Sequence, residues 1–184
     1  MLRYAFVTLP ALLVLAAAYD RPTKGEEEPA ATPPLLSIYG RQSRIERQGF
    51  YRIESADAWK RHWAKHQTGE EKPASFPGDK PHLGVDFTRC MVVSLFDGTG
   101  TNFNCDGYEV ESIDEGADRI RLRVRGLHFQ THDALIPTTA WGAFVLPRSE
   151  KPIVLELDTN RDRLRQPKWA KVADLKSGNS SVLK

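Results

Sequence analysis

Periodic apolar patterns along the chain predict one helix followed by a run of strands. In "SADAWKRHWAKHQTG", residues 55–69, Ala56, Trp59 and Trp63 share a face at helical spacing. Ser55 is suited to cap the N-terminus of that helix, and Gly69 lies just past its end. Two indole rings on one face predict that the helix packs onto a core. From Cys90 the period changes. "MVVSLF" (91–96) is a short, mostly apolar run of the kind a strand buried on both faces requires. "YEVESI" (108–113) and "RIRLRVR" (119–125) alternate strictly, and "LHFQT", "WGAFVLP" and "PIVLEL" follow, separated by turn residues. Successive strands at this spacing predict an α+β protein, with mostly antiparallel β-sheet in a sandwich or partial barrel and one packed N-terminal helix. Between helix and strands runs "EEKPASFPGDKPHLG", an irregular stretch broken by three prolines.

The ends of the chain read differently. Met1-Leu2-Arg3 gives a short positive region, Ala5 to Ala18 is apolar apart from Thr8 and Pro10, and Ala16-Ala17-Ala18 supplies small residues for cleavage before Tyr19. This is the layout of a secretory signal peptide over residues 1–18. The apolar run is shorter than the roughly 20 residues that span a bilayer, and no cysteine near the cleavage point offers a lipid anchor. The expected location is therefore secreted or periplasmic, with no stable membrane span after cleavage. Residues 19–37, rich in Pro, Glu, Thr and Ala, lack an apolar face and read as a disordered linker. A single β-rich domain is expected over 38–175, and 176–184 reads as a flexible tail carrying a glycosylation sequon at Asn179.

Composition narrows the function classes. The 184 residues suit one domain, and 40% hydrophobic with 27% charged residues is ordinary for a globular protein. A net charge of +2 lacks the basic excess of a nucleic-acid binder, so none is expected as a partner.

Candidate chemistry is sparse. In "NFNCDGYEVESI" (102–113), Asn102, Asn104 and Asp106 alternate and Gly107 follows, which resembles the start of a calcium loop. Such a loop needs an acidic twelfth residue, but Ile113 stands there, and a strand follows where a helix should. The segment reads as a turn. His62 and His66 are one helical turn apart with no nearby third ligand, so packing or surface exposure is expected. His128 and His132 share that spacing, and Asp133 could join them, but Phe129 and a strand-like context do not fit the metalloprotease motif. No metal or cofactor is expected, and no catalytic constellation emerges.

"RIRLRVR" sets Arg119, Arg121, Arg123 and Arg125 on one face, a possible interaction surface for a polyanion. If the hairpin turns around Gly116, Glu111 lies opposite Arg121 and Glu109 opposite Arg123, while Val110 faces Leu122 and Tyr108 faces Val124. That register describes a charged solvent face with two arginines partly neutralised. Export would let Cys90 and Cys105 form a disulfide. If 91–96 pairs directly with 108–113, however, the two thiols stand ~20 Å apart, beyond disulfide reach, and both are expected free.

The stretch "GVDFTRCMVVSLFDGTGTNFNCDGYEVESIDEGADRIRLRVRGLHFQT" followed by "WGAFVLPRS", Gly84 to Ser149, resembles the C-terminal domain family of the protease complex subunit PrcB. The "VDF" opening, the "MVV" strand, the Gly-rich turn and the "VLP" segment carry the resemblance, and "ADAWKRHW" resembles the Trp-containing helix upstream. Asp106-Gly107-Tyr108 stands where the family commonly has Gly-Gly-Tyr. The resemblance implies an exported, non-catalytic bacterial protein, one member type of the family assisting a surface protease complex, and it brings no catalytic residues. The leading expectation is thus an exported protein-interaction module without enzymatic activity. The runner-up is an envelope polyanion- or glycan-binding domain using Arg119 and Arg125 with exposed aromatics. A hydrolase lacking a recognisable motif is third.

Overall fold

The computed structural model describes residues 34–66, 84–132, 134–160, 165–178 and 180–183. In chain order its elements are β1 (Leu36–Gly40), β2 (Gly49–Ile53), α1 (Ala56–His66), β3 (Cys90–Phe96), β4 (Asn102–Phe103), β5 (Cys105–Glu115), β6 (Ile120–His128), β7 (Pro137–Thr138), β8 (Trp141–Pro147), β9 (Ile153–Asp158), β10 (Trp169–Leu175) and β11 (Ser181–Leu183). A five-stranded sheet runs β1-β8-β3-β2-β11, a four-stranded sheet runs β10-β9-β6-β5, and β4 pairs with β7. All pairings are antiparallel except β6 with β9, which is parallel. The protein is α+β as expected, and its sheets do not close into a barrel.

Double-sided burial of β3 and β8 creates the layers. Met91, Val93 and Leu95 of β3 join Phe144 and Leu146 of β8 in a core shared with Ile120, Leu122, Val124, Ile153, Leu155 and Leu175 of the second sheet. Val92 and Phe96 turn the other way, with Trp141, Ala143 and Val145, to meet Trp59 and Trp63 of α1. The order is helix, five-stranded sheet, four-stranded sheet. α1 begins as the sequence indicates, with the Ser55 hydroxyl accepting the Ala58 N–H at 3.3 Å. At its other end the His66 carbonyl accepts the Arg44 N–H at 3.2 Å. Gly69 and the proline-broken stretch through Leu83 lie outside the described residues, as do the expected signal peptide, the linker through residue 33, and Asn179.

Three sequence expectations change. Strands β1 and β2 precede the helix, and β1 starts at Leu36, inside the expected linker. The expected tail contributes β11, with Ser181, Val182 and Leu183 opposite Tyr51, Phe50 and Gly49. A buried ion pair anchors the segment leading to it. Arg52 is fully buried, and its Nε donates to Glu54 Oε1 at 2.6 Å while its other nitrogens donate to the carbonyls of Ser149 and Lys151. Glu54 in turn accepts the Gly178 N–H at 2.6 Å and the Ser177 hydroxyl. Burial alone would push the Glu54 carboxyl up, but these donors together hold it below the ordinary range. Composition made the tail look loose because backbone pairing and a distant carboxylate, with only Val182 packed against the core, hold it in place.

The third change is the β5–β6 register. The chain reverses between Gly116 and Arg119, whose backbones bond at 2.9 Å, so Ile113 faces Leu122, Asp114 faces Arg121 and Val110 faces Val124. Glu109 lies opposite Arg125, not Arg123, and Tyr108 lies opposite Gly126. The register shifts between Val110 and Ser112 and again between Cys105 and Tyr108. Strict alternation would put Val110 and Ile113 on opposite faces. The extra residue Glu111 resets the parity, so both pack against the same core. "LHFQT" is no separate strand: β6 simply runs on to His128.

Trp59 and Trp63 retain 1% and 2% of their surface exposure. Among the described residues, their buried indole N–H groups have no hydrogen-bond partner. Such a loss costs on the order of 1–3 kcal/mol, which the burial of the rings must exceed for the helix to dock. Trp59→Ala and Trp63→Ala are each expected to destabilise the fold by roughly 3–5 kcal/mol. Urea unfolding of the two variants measures this, and wild-type midpoints would remove α1 from the core.

Candidate interaction surface

The segment from Asp97 to Gly107 connects the two sheets, and its residues divide between holding the turn and presenting a surface. Gly98 has φ 74° and sits where a Cβ would come 2.5–2.7 Å from the backbone of Glu46 to Gln48, a position only glycine fills without strain. Beneath it, the Tyr108 hydroxyl donates to Asp97 Oδ1 at 2.5 Å, and Asn102 Nδ2 donates to Asp97 Oδ2 at 2.8 Å. Asp97, Asn102 and Tyr108 are all buried. Burial raises the tyrosine pKa well above its ordinary value, and the Asp97 charge raises it further, so the phenol stays a donor.

The three alternating oxygen-bearing side chains of the calcium-like pattern diverge. Asn102 points inward to Asp97, Asn104 Oδ1 accepts the Ile136 N–H at 2.8 Å, and Asp106 binds Arg41 at the surface. The segment is not the expected turn but short strand β4, a bend at Asn104 and the start of β5, and each of its polar groups fixes a different neighbour. Those neighbours form the surface. Asn104, held at φ 53°, also donates its N–H to the Ile136 carbonyl and accepts the Phe129 N–H, both at 2.9 Å. The Arg41 guanidinium lies 4.6 Å above the Phe129 ring centre while donating twice to Asp106 Oδ1. Gly107, at φ 138°, lies so close to Tyr39 that a Cβ would come within 2.7 Å of that side chain. Leu135 is 69%, Tyr39 46% and Ile136 38% exposed; Tyr39 lies against Gly107, Ile136 is bonded to Asn104, and Leu135 precedes Ile136 in the chain.

The arginine row stands elsewhere, on the outer face of the four-stranded sheet. Parallel pairing with β9 brings carboxylates beside it. Arg121 and Arg123 reach Glu156 at 3.5 and 3.0 Å, and Arg125 reaches Asp158 at 3.1 Å and Glu111 at 3.6 Å. Arg119 pairs with its neighbour Asp118 at 2.6 Å. Arg123 also lies over the Trp169 ring at 5.4 Å. Each arginine has a carboxylate partner, so a polyanion would have to compete with charges already in place.

His62, His66 and the two cysteines are placed in packing. His62 and His66 lie between α1 and the five-stranded sheet. His62 Nε2 meets the Ser94 hydroxyl at 3.1 Å, and His66 Nδ1 meets the Ser43 hydroxyl at 3.0 Å. His66 packs 4.1 Å from the Trp141 ring, and His62 packs 4.4 Å from that of Tyr51. His132 is exposed, and Asp133, the third member of its candidate set, lies outside the described residues. Both cysteines are free, but not for the expected reason. β3 pairs with β2 and β8 rather than β5. Cys90 packs on the helix side of its sheet, whereas Cys105 lies in the core between the sheets. Burial raises the Cys105 thiol to about 11, which keeps it protonated at neutral pH and poorly nucleophilic.

The fold and this surface define a β-sandwich module with a helix on one face and exposed apolar residues tied to the segment from Asn104 to Gly107. No family model, no curated protein and no solved structure matches the chain.

The buried histidines set a pH dependence. Burial lowers His62 to about 3, with help from the neighbouring His66 and Lys65 charges, and lowers His66 to about 4. Unfolded, both titrate near the ordinary ~6.5. Below that pH the unfolded chain takes up protons that the folded chain refuses, so stability falls as the pH drops toward 4. The melting temperature is expected to decline from pH 6.5 downward, and His62→Gln and His66→Gln to flatten that decline above pH 5, where carboxylates contribute least. Parallel melting curves of wild type and variants over this range would contradict the assignment.

Proposed function

We propose that the chain is an exported, non-enzymatic binding module that works through protein contacts at the Tyr39–Leu135–Ile136 patch. The observation that carries this reading is the exposure of three large apolar side chains on a support that is itself rigidly bonded. Scattered apolar exposure is ordinary, but exposed apolar residues tied to one short segment, Asn104 to Gly107, that also carries the Arg41–Asp106 pair fit a recognition surface. The internal pairing of the arginine row supports this reading over polyanion binding.

The partner class follows from the resemblance of Gly84 to Ser149 to the PrcB C-terminal domain family, which points to a secreted or surface protease complex. The signal-peptide pattern of residues 1–18 supports a meeting outside the cytoplasm, in the periplasm or beyond.

The test uses affinity capture from the native envelope fraction, followed by titration of the captured protein against variants. Leu135→Ser with Ile136→Ser should weaken binding at least about tenfold, the effect of losing a central apolar anchor. Arg121→Ala with Arg123→Ala should leave it within about twofold, and added salt should change it little. A partner whose affinity ignores the patch but collapses with salt and with the arginine variant would replace this reading with the polyanion one.

A further inference from the structure

The sheet edges differ in how they are guarded. The outer edge of β5 carries Glu109, Glu111, Asp114 and Glu115 and is broken by register shifts. β10 carries Lys171 and Asp174 and shifts register between Lys171 and Ala173. β11 is only three residues long. Charges, bulges and brevity are the devices that keep sheet edges from pairing with other chains. β1 has none of them. It reads Leu-Ser-Ile-Tyr-Gly, pairs with β8 in unbroken register over all five residues, and among the described residues is hydrogen-bonded on that side alone. Just before the strand, the Leu35 N–H donates to the carbonyl of Val145, the residue that Leu36 faces, at 2.9 Å.

The side chains of this strand match a second copy of themselves. Leu35 is 63% and Tyr39 46% exposed, two residues to either side of Ser37, and alternation puts them on one face. Leu36 and Ile38 lie on the other face, which packs toward α1. In an antiparallel pair centred on Ser37, Leu35 would face Tyr39 of the other copy, Leu36 would face Ile38, and Ser37 would face itself. Both faces match in one register, and no charged side chain from 35 to 40 meets its like. A two-fold pairing through β5 would instead set a row of carboxylates against itself.

We propose that two copies of this chain associate edge to edge through β1, about a two-fold axis at Ser37, making one continuous ten-stranded sheet from two five-stranded ones. The association is isologous and buries Leu35 and Tyr39 of both chains. It goes beyond the binding reading above and does not depend on it, since Leu135 and Ile136 take no part. Tyr39 belongs to both surfaces, so dimerisation and partner binding at the patch are expected to influence one another.

Sedimentation of the purified full chain over about a hundredfold concentration range tests the proposal, because a dimer must dissociate on dilution. The expected result is a concentration-dependent doubling of mass. Leu35→Lys and Tyr39→Lys, at exposed positions that leave the core intact, should each give a monomer with a wild-type circular dichroism spectrum. The double variant L35K/Y39E sets opposite charges across the axis and should restore the dimer, which no other register does. Ser37→Cys offers an independent readout, a covalent dimer under mild oxidation. A wild-type chain that stays monomeric throughout overturns the proposal. So does a dimer indifferent to both lysine variants, which would place the contact elsewhere. Neither outcome touches the Leu135–Ile136 reading, whose test uses different residues and a different partner.

Discussion

The structure depends on one sheet being dry on both faces. β3 and β8 send alternate residues into two cores, one shared with the second sheet and one with α1. Such a strand cannot carry a charge on either side without desolvating it, which explains why "CMVVSLF" and "WGAFVLP" are so nearly uniform. Ser94 is the polar exception in β3, and its hydroxyl is spent on His62. Burial of a helix with two indoles and two histidines follows from the same constraint, because the sheet offers that face nothing but apolar surface and a few hydroxyls.

Charges that the layers do bury are paired and fully bonded. Arg52 and Glu54 lie at the edge of the sandwich, where breaking either would strand the other in a low-dielectric site. Their bonds reach the β8–β9 connection and the residues before β11, so a single pair ties three distant parts of the chain. Asp97 plays a comparable part at the opposite end of β3. Through Tyr108 and Asn102 it joins the end of one sheet to the start of the other. Both sites use polar groups to fix connections that apolar packing, being non-directional, leaves loose.

Surface chemistry follows from these supports. The bend at Asn104 and the first residues of β5 hold Ile136, Phe129, Arg41 and Tyr39 through backbone bonds, an ion pair and a glycine contact. Exposed apolar groups on a rigid base lose little freedom when covered, which favours recognition. The arginine face works the other way: its side chains are already spent on Glu156, Asp158, Glu111 and Asp118.

Local pattern determined the helix, its Ser55 cap, its aromatic face and the double burial of β3, because each depends on the spacing of neighbouring residues. The turn expected from Asn102 to Gly107 is not borne out: Asn102–Phe103 is a short strand and β5 already starts at Cys105, because their partners Pro137–Thr138 and His128 lie far along the chain. Tertiary structure alone decided the rest. The parallel β6–β9 pairing, which gives the arginines their partners, joins segments about 33 residues apart that no period links. The β5 bulges depend on which face meets the core, and strict alternation in "YEVESI" concealed them. β11 is held by backbone bonds and by Glu54, neither visible in the composition of the tail. The patch escaped notice for a similar reason. Tyr39, Leu135 and Ile136 are ordinary apolar residues in the sequence, and only the contacts of Tyr39 with Gly107 and of Ile136 with Asn104, which leave them exposed among the described residues, bring them into one region.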